Sequence, residues 1–196
     1  MMHPVCGYEV DSSLFARNRA PLFLDVGACH GQWTVGMLTR FPGAACICIE
    51  PSPFALPVLI EYVARRGARI LTVAVAESDR LASLWCWGDA DASLLQWRDR
   101  PYRERIDVSA MSLHTIFSEL KLDHCDVLKL DVEGMEEPVL RSWSIAPLPV
   151  NQIVAEIHDY RGAWRSAPGY LTAMGFDSAV TNRTPEGRKI RAWRHT

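Results

Sequence analysis

The chain has 196 residues, 48% hydrophobic and 22% charged, which is enough apolar material for one globular domain with its own core. Its formal net charge of −2 excludes a general electrostatic drive toward nucleic acid or a membrane surface. No run approaches the roughly 18 apolar residues of a membrane span, no signal peptide is visible, and the six cysteines are scattered, so we expect a cytoplasmic protein with free thiols.

The first regular unit of the chain is a strand followed by a glycine-containing turn. Residues 1–20 have mixed polarity and predict a short N-terminal helix or arm, and a single domain is expected over residues 21–196. Within that domain, the apolar run Leu22 to Val26 predicts a buried parallel strand. The strand ends in a turn that contains Gly27 and Gly31, and a helix is predicted to follow. This combination typically forms a cofactor cradle at the carboxyl end of a strand.

Asp25 is the discriminating residue of this cradle. Its carboxylate would repel the pyrophosphate of a dinucleotide, which disfavours a nicotinamide cofactor here. A carboxylate suits a cofactor with a cationic end, such as the ammonium and sulfonium groups of S-adenosylmethionine.

The second unit also ends in an acid. Ala45 to Ile49 predicts a buried strand that ends at Glu50, and a proline-rich turn, a helix from Phe54 to Arg66 and a strand from Arg69 to Ala76 follow. An acid at the end of the second strand of such a sheet is placed to accept both hydroxyls of a ribose.

The middle of the chain is less regular. Leu81 to Trp87 and Ile106 to Ala110 predict strands, and Gly88 to Arg105 predicts an active-site loop or lid. Ser112 is a predicted N-cap of a helix that continues through Lys121.

A lysine interrupts the next buried strand pattern, Cys125 to Gly134. Period-two alternation places Lys129 and Asp131 on one face of this strand. A lysine at such a position is costly unless it is paired, and Asp131 or Glu133 is the predicted partner. A structural ion pair and a catalytic role are both open for this lysine.

Two polar residues share a face near the end of the last parallel strand. In Gln152 to His158, Glu156 and His158 have the same parity, so both are expected near the edge of the sheet where ligands bind. After a further helix, Phe176 to Thr181 and Arg188 to Trp193 predict an antiparallel hairpin. Such a hairpin is the usual end of a methyltransferase sheet rather than of a dehydrogenase sheet.

Four groups of residues, in order along the chain, resemble the FkbM family of S-adenosylmethionine-dependent methyltransferases. They are Asp25-Val26-Gly27-Ala28 with Gly31 and Trp33, then Glu50-Pro51-Ser52-Pro53, then Lys129-Leu130-Asp131-Val132-Glu133-Gly134 with Glu137 and Leu140, and finally Glu156 with His158. The resemblance implies an α/β fold of the class I methyltransferase (Rossmann-like) type, with a doubly wound, mostly parallel seven-stranded sheet. It also implies methylation of a hydroxyl of a small molecule, often a sugar or a natural product.

The resemblance and the strand ends together predict the site residues. The expected cofactor-binding residues are Asp25, Gly27, Ala28, Gly31, Glu50, Ser52 and Ala76. The expected catalytic residues are His158 as the base, with Lys129, Asp131 and Glu156. No metal site is predicted because no compact ligand motif is present, although Asp131, Glu133 and His158 together could hold a divalent ion.

Two other functional classes share part of this pattern. A nicotinamide-dependent oxidoreductase would have the same sheet and Glu50, but Asp25 and the closing hairpin argue against it. A non-catalytic cofactor-binding module would keep these two acids without needing His158 or Lys129. The expected partner is therefore a small-molecule hydroxyl acceptor, with no nucleic acid and no membrane, and the sequence specifies no oligomeric state.

Overall fold

The computed structural model describes residues 1–17, 19–88, 91–96, 101–160, 163–184 and 187–194. The helices are α1 (Gln32–Arg40), α2 (Leu56–Ala64), α3 (Leu113–Glu119), α4 (Glu136–Trp143) and α5 (Ala163–Ala173). The strands are β1 (Met2–Val5), β2 (Tyr8–Asp11), β3 (Leu22–Val26), β4 (Ala45–Ile49), β5 (Arg69–Leu71), β6 (Ala74–Val75), β7 (Arg80–Gly88), β8 (Asp91–Ser93), β9 (Glu104–Met111), β10 (Cys125–Leu130), β11 (Val150–His158), β12 (Asp177–Arg183) and β13 (Gly187–Trp193).

The central element is a seven-stranded sheet with the order β12-β13-β11-β10-β3-β4-β5. The strands from β11 to β5 run parallel, and β13 pairs antiparallel with both β11 and β12. The predicted α/β class is confirmed. The order reverses at β3, and ligands of open parallel sheets bind at such a switch point, beyond the carboxyl ends of the strands.

Alternation along the strands divides the core between the two faces of the sheet. Leu24, Leu128 and their same-face neighbours belong to the larger cluster, which also contains side chains of α3, α4 and α5. Phe23 and Val127 belong to a second cluster, which contains side chains of α1, α2 and the first two strands. By the same parity, Lys129 and Asp25 point toward this second face, and they are register partners on adjacent strands.

Where a helix or arm is expected over residues 1–20, the described residues form a β-hairpin of strands β1 and β2, followed by a 3-10 turn. Buried and exposed residues alternate along both strands, and Val5, Tyr8 and Val10 enter the core. The turn between them places Cys6 at φ 47 and Gly7 at φ 78, the pair of positive φ values that a tight hairpin turn requires. The period-two alternation of apolar residues on both sides of Cys6-Gly7 is therefore the sequence pattern that would have predicted this hairpin.

The single third strand predicted from Arg69 to Ala76 is two strands in the structure. β5 completes the central sheet, whereas β6 pairs with β9 in a separate four-stranded sheet of order β6-β9-β7-β8. Ala74 and Val75 are buried beside β9 of this second sheet, and not in the central sheet as the sequence pattern predicted. Of the stretch predicted as a lid, residues 89–90 and 97–100 lie outside the described residues, and the described part includes β8.

The helix signals agree with the structure at the predicted N-cap. The Ser112 side chain accepts a hydrogen bond from Thr115 N at 3.1 Å at the start of α3. Within the described parts of the chain, no helix has the length and apolar composition needed to cross a membrane.

Candidate active site

A cleft opens at the carboxyl ends of β3, β4 and β10, where the central sheet meets β8 of the second sheet. It contains about 740 Å³ of space outside the protein atoms, including open solvent at its mouth. Its lining residues are Gly27, Cys29, Ile49, Glu50, Pro51, Val73, Ala74, Val75, Leu84, Asp91, Ala92, Ser93, Leu94, Asp131, Val132 and Glu133. The cleft therefore combines an apolar portion with carboxylates from two strand ends.

The turn after β3 requires glycine at its first position. Gly27 has φ +74, and a Cβ built on it would lie 1.7 Å from the backbone oxygen of Asp131. The backbone N–H groups of Gly27 and Ala28 donate to Ile49 O at 2.9 and 3.1 Å. The close approach of Gly27 fixes the turn against the loop after β10, and thereby fixes one wall of the cleft.

Gly31 has a packing role in the structure. It caps the N-terminus of α1 with φ 83, and an added Cβ would lie 2.8 Å from side-chain atoms of Leu59 and Val63. Ala28 is 4% exposed and belongs to the core cluster on the α1 face. Of the glycine-turn residues predicted to bind cofactor, only Gly27 lines the cleft, and Ala28 and Gly31 hold the turn in place from behind.

Glu50 lies at the end of β4 and lines the cleft, as the sequence predicted for a ribose-binding acid. Its Oε1 accepts Ser52 N at 2.8 Å and its Oε2 accepts Cys29 N at 2.8 Å. Burial raises the pKa of Glu50, and these two N–H donors act in the opposite direction. The carboxylate thus fixes the relative positions of the two loops that carry it and Cys29. Ser52 and Ala76, both fully buried, are absent from the cleft lining.

Asp25 and Lys129 form a buried ion pair beneath the glycine turn. Lys129 Nζ lies 3.2 Å from Asp25 Oδ1 and 3.5 Å from Asp131 Oδ2, and it donates to Gly27 O at 2.7 Å. Thr34 Oγ1 donates to Asp25 Oδ2 at 2.7 Å. Burial acts against the lysine charge, but the attraction of Asp25 and Asp131 outweighs it and holds the pKa of Lys129 above its usual range.

This geometry changes two of the expected roles. Asp25 is completely buried and does not line the cleft, so it supports the turn through Lys129 instead of facing the cleft directly. Lys129 has its predicted partner Asp131, but its nearer carboxylate is that of Asp25, and Glu133 is not among its ion-pair partners in the described residues. The reason is register, because Asp25 stands directly beside Lys129 on the neighbouring strand.

Among the described residues, Glu156 pairs with residues of the neighbouring hairpin and not with the group around His158. Lys189 of β13 is its register partner, with Nζ 3.5 Å from Glu156 Oε2, and Thr184 Oγ1 donates to Glu156 Oε1 at 2.9 Å. The Lys189 ammonium also lies 4.2 Å from the centre of the Tyr8 ring. Glu156 therefore belongs to a polar network on the hairpin face, as opposite charges on paired strands commonly do.

Tyr8 connects this network to the cleft. Its hydroxyl donates to Asp131 Oδ2 at 3.0 Å, and burial together with nearby carboxylates holds the pKa of Tyr8 well above its usual range. Sequence reasoning missed Tyr8, because the contact joins residues 123 positions apart and depends on the hairpin packing over the sheet.

His158, at the end of β11, is only 2% exposed and lies between two glutamates. Its Nδ1 is 3.0 Å from Oε1 of the fully buried Glu136, and its Nε2 is 3.4 Å from Glu133 Oε2. Burial opposes the charged imidazole, but the hydrogen bond to Glu136 and the attraction of Glu136, Glu133 and Asp131 outweigh it and raise the pKa of His158 to about 10.

The loop after β10 brings three side chains with ligand atoms into one group. Oxygen atoms of Asp131 and Glu133 and a nitrogen of His158 all lie within 4.8 Å of one another. Glu136 lies behind this group, where it accepts Val132 N at 2.9 Å and Gly134 N at 3.1 Å. The sequence pointed to Asp131 and His158 as strand-end residues, but it gave no sign of Glu136, which acts from the first turn of α4.

Comparisons with known proteins agree with this architecture. A family model described as the methyltransferase FkbM domain matches residues 25–178. The chain is 27% identical to 31-O-demethyl-FK506 methyltransferase FkbM of Streptomyces tacrolimicus over an alignment 195 positions long, which covers 82% of this chain and 74% of the relative.

Solved structures with a similar fold come from distant sequences. Precorrin-6y C5,15-methyltransferase from Geobacter metallireducens has a TM-score of 0.57 and 12% identity, over 93% of this chain and 85% of that one. The Methanococcus jannaschii fibrillarin pre-rRNA processing protein has a TM-score of 0.58 and 14% identity, over 97% and 72%. M. capricolum TrmK, solved with S-adenosyl-homocysteine, has a TM-score of 0.52 and 7% identity, over 90% and 63%. The shared fold is that of the class I S-adenosylmethionine-dependent methyltransferases.

Proposed function

The chain belongs to the FkbM family of methyltransferases, and from that membership we propose that it transfers a methyl group to a hydroxyl oxygen of a small molecule, such as a sugar or a natural-product intermediate. Its cofactor is S-adenosyl-L-methionine. The observation that carries the proposal is the cleft, because one continuous lining contains Glu50, an apolar wall, and the carboxylates of Asp131 and Glu133.

The residues at the β4 side of the cleft fit the adenosine part of this cofactor. Each Glu50 oxygen accepts one N–H and keeps a second lone pair, which suits the two hydroxyls of a ribose. Ile49, Val73 and Leu84 offer apolar surface to a purine, and Gly27 leaves its backbone open toward the methionine end. When bound, the cofactor supplies a methyl group on a positively charged sulfur. Lys129 is proposed as a positioning residue, which acts on this end through the Gly27 carbonyl.

The other end of the cleft is proposed to receive the acceptor. Methylation of a hydroxyl requires alignment of its oxygen and removal of its proton. Asp131 and Glu133 line the cleft, and His158 lies next to both, so we assign the transfer of the acceptor's proton to this group of three; His158, whose pKa is raised to about 10, must lose its own proton before it can accept one. The specific assignment of His158 as the base stays a prediction. Glu156 is assigned a supporting role because its partners are Lys189 and Thr184.

Two findings support oxygen as the methylated atom and a small molecule as its bearer. The name of the Streptomyces tacrolimicus relative describes an O-demethyl substrate. The net charge of −2 offers no electrostatic attraction to a nucleic acid, although one of the structural neighbours is a pre-rRNA processing protein. All six cysteines are free thiols, which supports a reducing, cytoplasmic setting.

The proposal is tested by incubating the protein with S-adenosylmethionine labelled with ¹³C in the methyl group and a panel of sugars, polyols and hydroxylated natural products. RNA and a protein digest serve as further arms. We expect label in a methyl ether, identified by its carbon chemical shift. Label that enters only RNA would overturn the small-molecule assignment, and label found only on nitrogen or carbon would overturn the hydroxyl assignment.

A substitution then tests the acceptor end. His158→Ala should lower the methyl-transfer rate by roughly 10²–10⁴, the range for removal of a group that moves a proton, while cofactor affinity remains unchanged. His124→Ala is the matched control, because His124 lies on the loop before β10 and outside the cleft lining. Near-native turnover by His158→Ala would assign this histidine to structure alone.

A further inference from the structure

The loop after β10 and the end of β11 together form a compact set of ligand atoms. Two carboxylates, Asp131 and Glu133, and one imidazole, His158, contribute atoms that all lie within 4.8 Å of one another. We propose that these three side chains bind a divalent cation of the Mg²⁺ or Mn²⁺ class. The proposal rests on the proposed function and deepens it, because it assigns the acceptor end of the cleft to a metal site.

The histidine is held in the orientation that a metal ligand needs. Because a carboxylate only accepts hydrogen bonds, His158 Nδ1 donates to Glu136 Oε1 across 3.0 Å, and a metal ion would bind at Nε2 in place of the proton there. The other nitrogen, Nε2, is then directed at Glu133 Oε2, 3.4 Å away. Two ligands at about 2.1 Å from one metal ion, about 90–110° apart, are separated by about 3.0–3.4 Å. A carboxylate behind the ligating imidazole is also the usual support of a metal-bound histidine.

The second ligand lies on a loop whose shape is enforced. Glu133 adopts φ 54, a conformation that non-glycine residues rarely take. Glu136 binds the N–H groups on both sides of it, from Val132 at 2.9 Å and Gly134 at 3.1 Å, and Ser93 Oγ donates to Glu133 O at 2.6 Å. A backbone conformation of this strained type, held in place by several hydrogen bonds, is typical of functional sites. The same buried glutamate therefore orients two of the three ligands.

The local charge favours a cation. Asp131, Glu133 and Glu136 bring three carboxylates to the histidine. Among the described residues, the Lys129 ammonium lies 3.5 Å from Asp131 and closer, at 3.2 Å, to Asp25. A divalent ion between Asp131 and Glu133 would be attracted by both carboxylates.

The ligand types define the class of ion. Two carboxylates and one imidazole form a mainly oxygen donor set, which suits Mg²⁺ or Mn²⁺, and only three protein ligands leave coordination positions open. Since Asp131 and Glu133 line the cleft, those positions face the space where the acceptor is proposed to bind. We infer that the acceptor presents two neighbouring oxygens, as in a vicinal diol, and that the cation makes its hydroxyl more acidic.

Binding of Mn²⁺ to the full chain, after treatment with a chelator, tests the site directly by electron paramagnetic resonance, without any methyl acceptor. We expect one Mn²⁺ per chain with a dissociation constant below about 1 mM, and displacement by Mg²⁺. Glu133→Gln, Asp131→Asn and His158→Gln should each weaken Mn²⁺ binding at least tenfold. Asp107→Asn and His124→Gln change the same residue types elsewhere and should leave it unchanged.

Calorimetry with S-adenosylmethionine separates loss of the site from loss of the fold. The mildest variant, Glu133→Gln, should keep the cofactor affinity of the unsubstituted protein while it loses Mn²⁺. Absence of saturable Mn²⁺ binding, or equally tight binding by all three variants, overturns the metal site. If methyl transfer then persists in chelator, the proposed function stands without it. If Mn²⁺ binds as expected and no hydroxyl acceptor is ever methylated, the metal site stands and the proposed function fails.

Discussion

Replacement of Lys129 by methionine tests how much of the cleft depends on the buried pair beneath the glycine turn. Lys129→Met keeps most of the side-chain volume and removes the ammonium group. The carboxylate of Asp25, which is completely buried, would then keep only the neutral hydroxyl of Thr34 among its described partners. The Gly27 carbonyl would lose the donor that lies 2.7 Å away.

The size of the effect follows from the burial of the two charges. Removal of one member of a buried ion pair costs about 3–5 kcal/mol, because the remaining charge is uncompensated. For a domain of this size each kcal/mol lowers the melting temperature by about 2–4 °C, so the melting temperature should fall by about 6–20 °C. The double variant Asp25→Asn with Lys129→Met removes the completely buried charge, while the part-exposed Asp131 keeps its hydrogen bond from Tyr8, so at least half of the loss should be recovered.

Urea denaturation and thermal melting of the two variants measure these changes. Arg19→Met is the control, because its ion pair with Asp123 is exposed, at 47% and 79%, and should contribute about 1 kcal/mol or less. A loss below about 1 kcal/mol for Lys129→Met, or a double variant no more stable than the single one, would refute the account of the pair as the support of the turn.

Three further predictions concern the cleft wall. Glu50→Gln should weaken S-adenosylmethionine binding, measured by calorimetry, about 10- to 100-fold, which is the scale of a hydrogen bond to a charged group. Glu61→Gln, on the exposed side of α2, is the control and should not change the affinity. Equal affinities of the two variants would contradict the ribose assignment. Gly27→Ala should abolish cofactor binding and lower the melting temperature far more than Gly67→Ala. Both glycines have positive φ, but of the two only a Cβ added at Gly27 would meet another residue within 4 Å. Similar losses in the two variants would contradict the steric account. Burial raises the pKa of Cys29 to about 11, so its alkylation rate should rise about tenfold per pH unit up to that value and fall when cofactor is added; a rate that is flat between pH 8 and 10 would contradict the raised pKa.

Local patterns were sufficient to predict the strands that carry the site. The apolar run before Gly27, the acid after β4 and the lysine within β10 each have a physical reason that can be seen within a few residues. The period-two alternation along β10 also predicted that Lys129 and Asp131 lie on the same face, and in the structure Lys129 Nζ is 3.5 Å from Asp131 Oδ2.

Pairings across the chain could not be predicted in this way. Asp25 as the nearer partner of Lys129 follows from the register of β3 with β10, and Lys189 as the partner of Glu156 follows from the register of β11 with β13. Glu136 lies in the first turn of α4, and the sequence pattern of that helix does not indicate which residues of other elements its side chain contacts. Period and propensity identify elements, whereas the neighbour of a polar side chain depends on strand order, which single-sequence patterns do not contain.

The N-terminal hairpin has a consequence for how the protein is made. Tyr8 is synthesised more than a hundred residues before the groups that hold it, which are Asp131 after β10 and Lys189 in β13. Asp11 N likewise donates to Gln152 Oε1, across 141 positions of sequence. Contacts of such long separation form late, because the intervening chain must be ordered before they close. The partners of the hairpin are therefore made only after β3 to β11 have been synthesised, and the contact between Tyr8 and Lys189 can form only once β13 has joined the sheet.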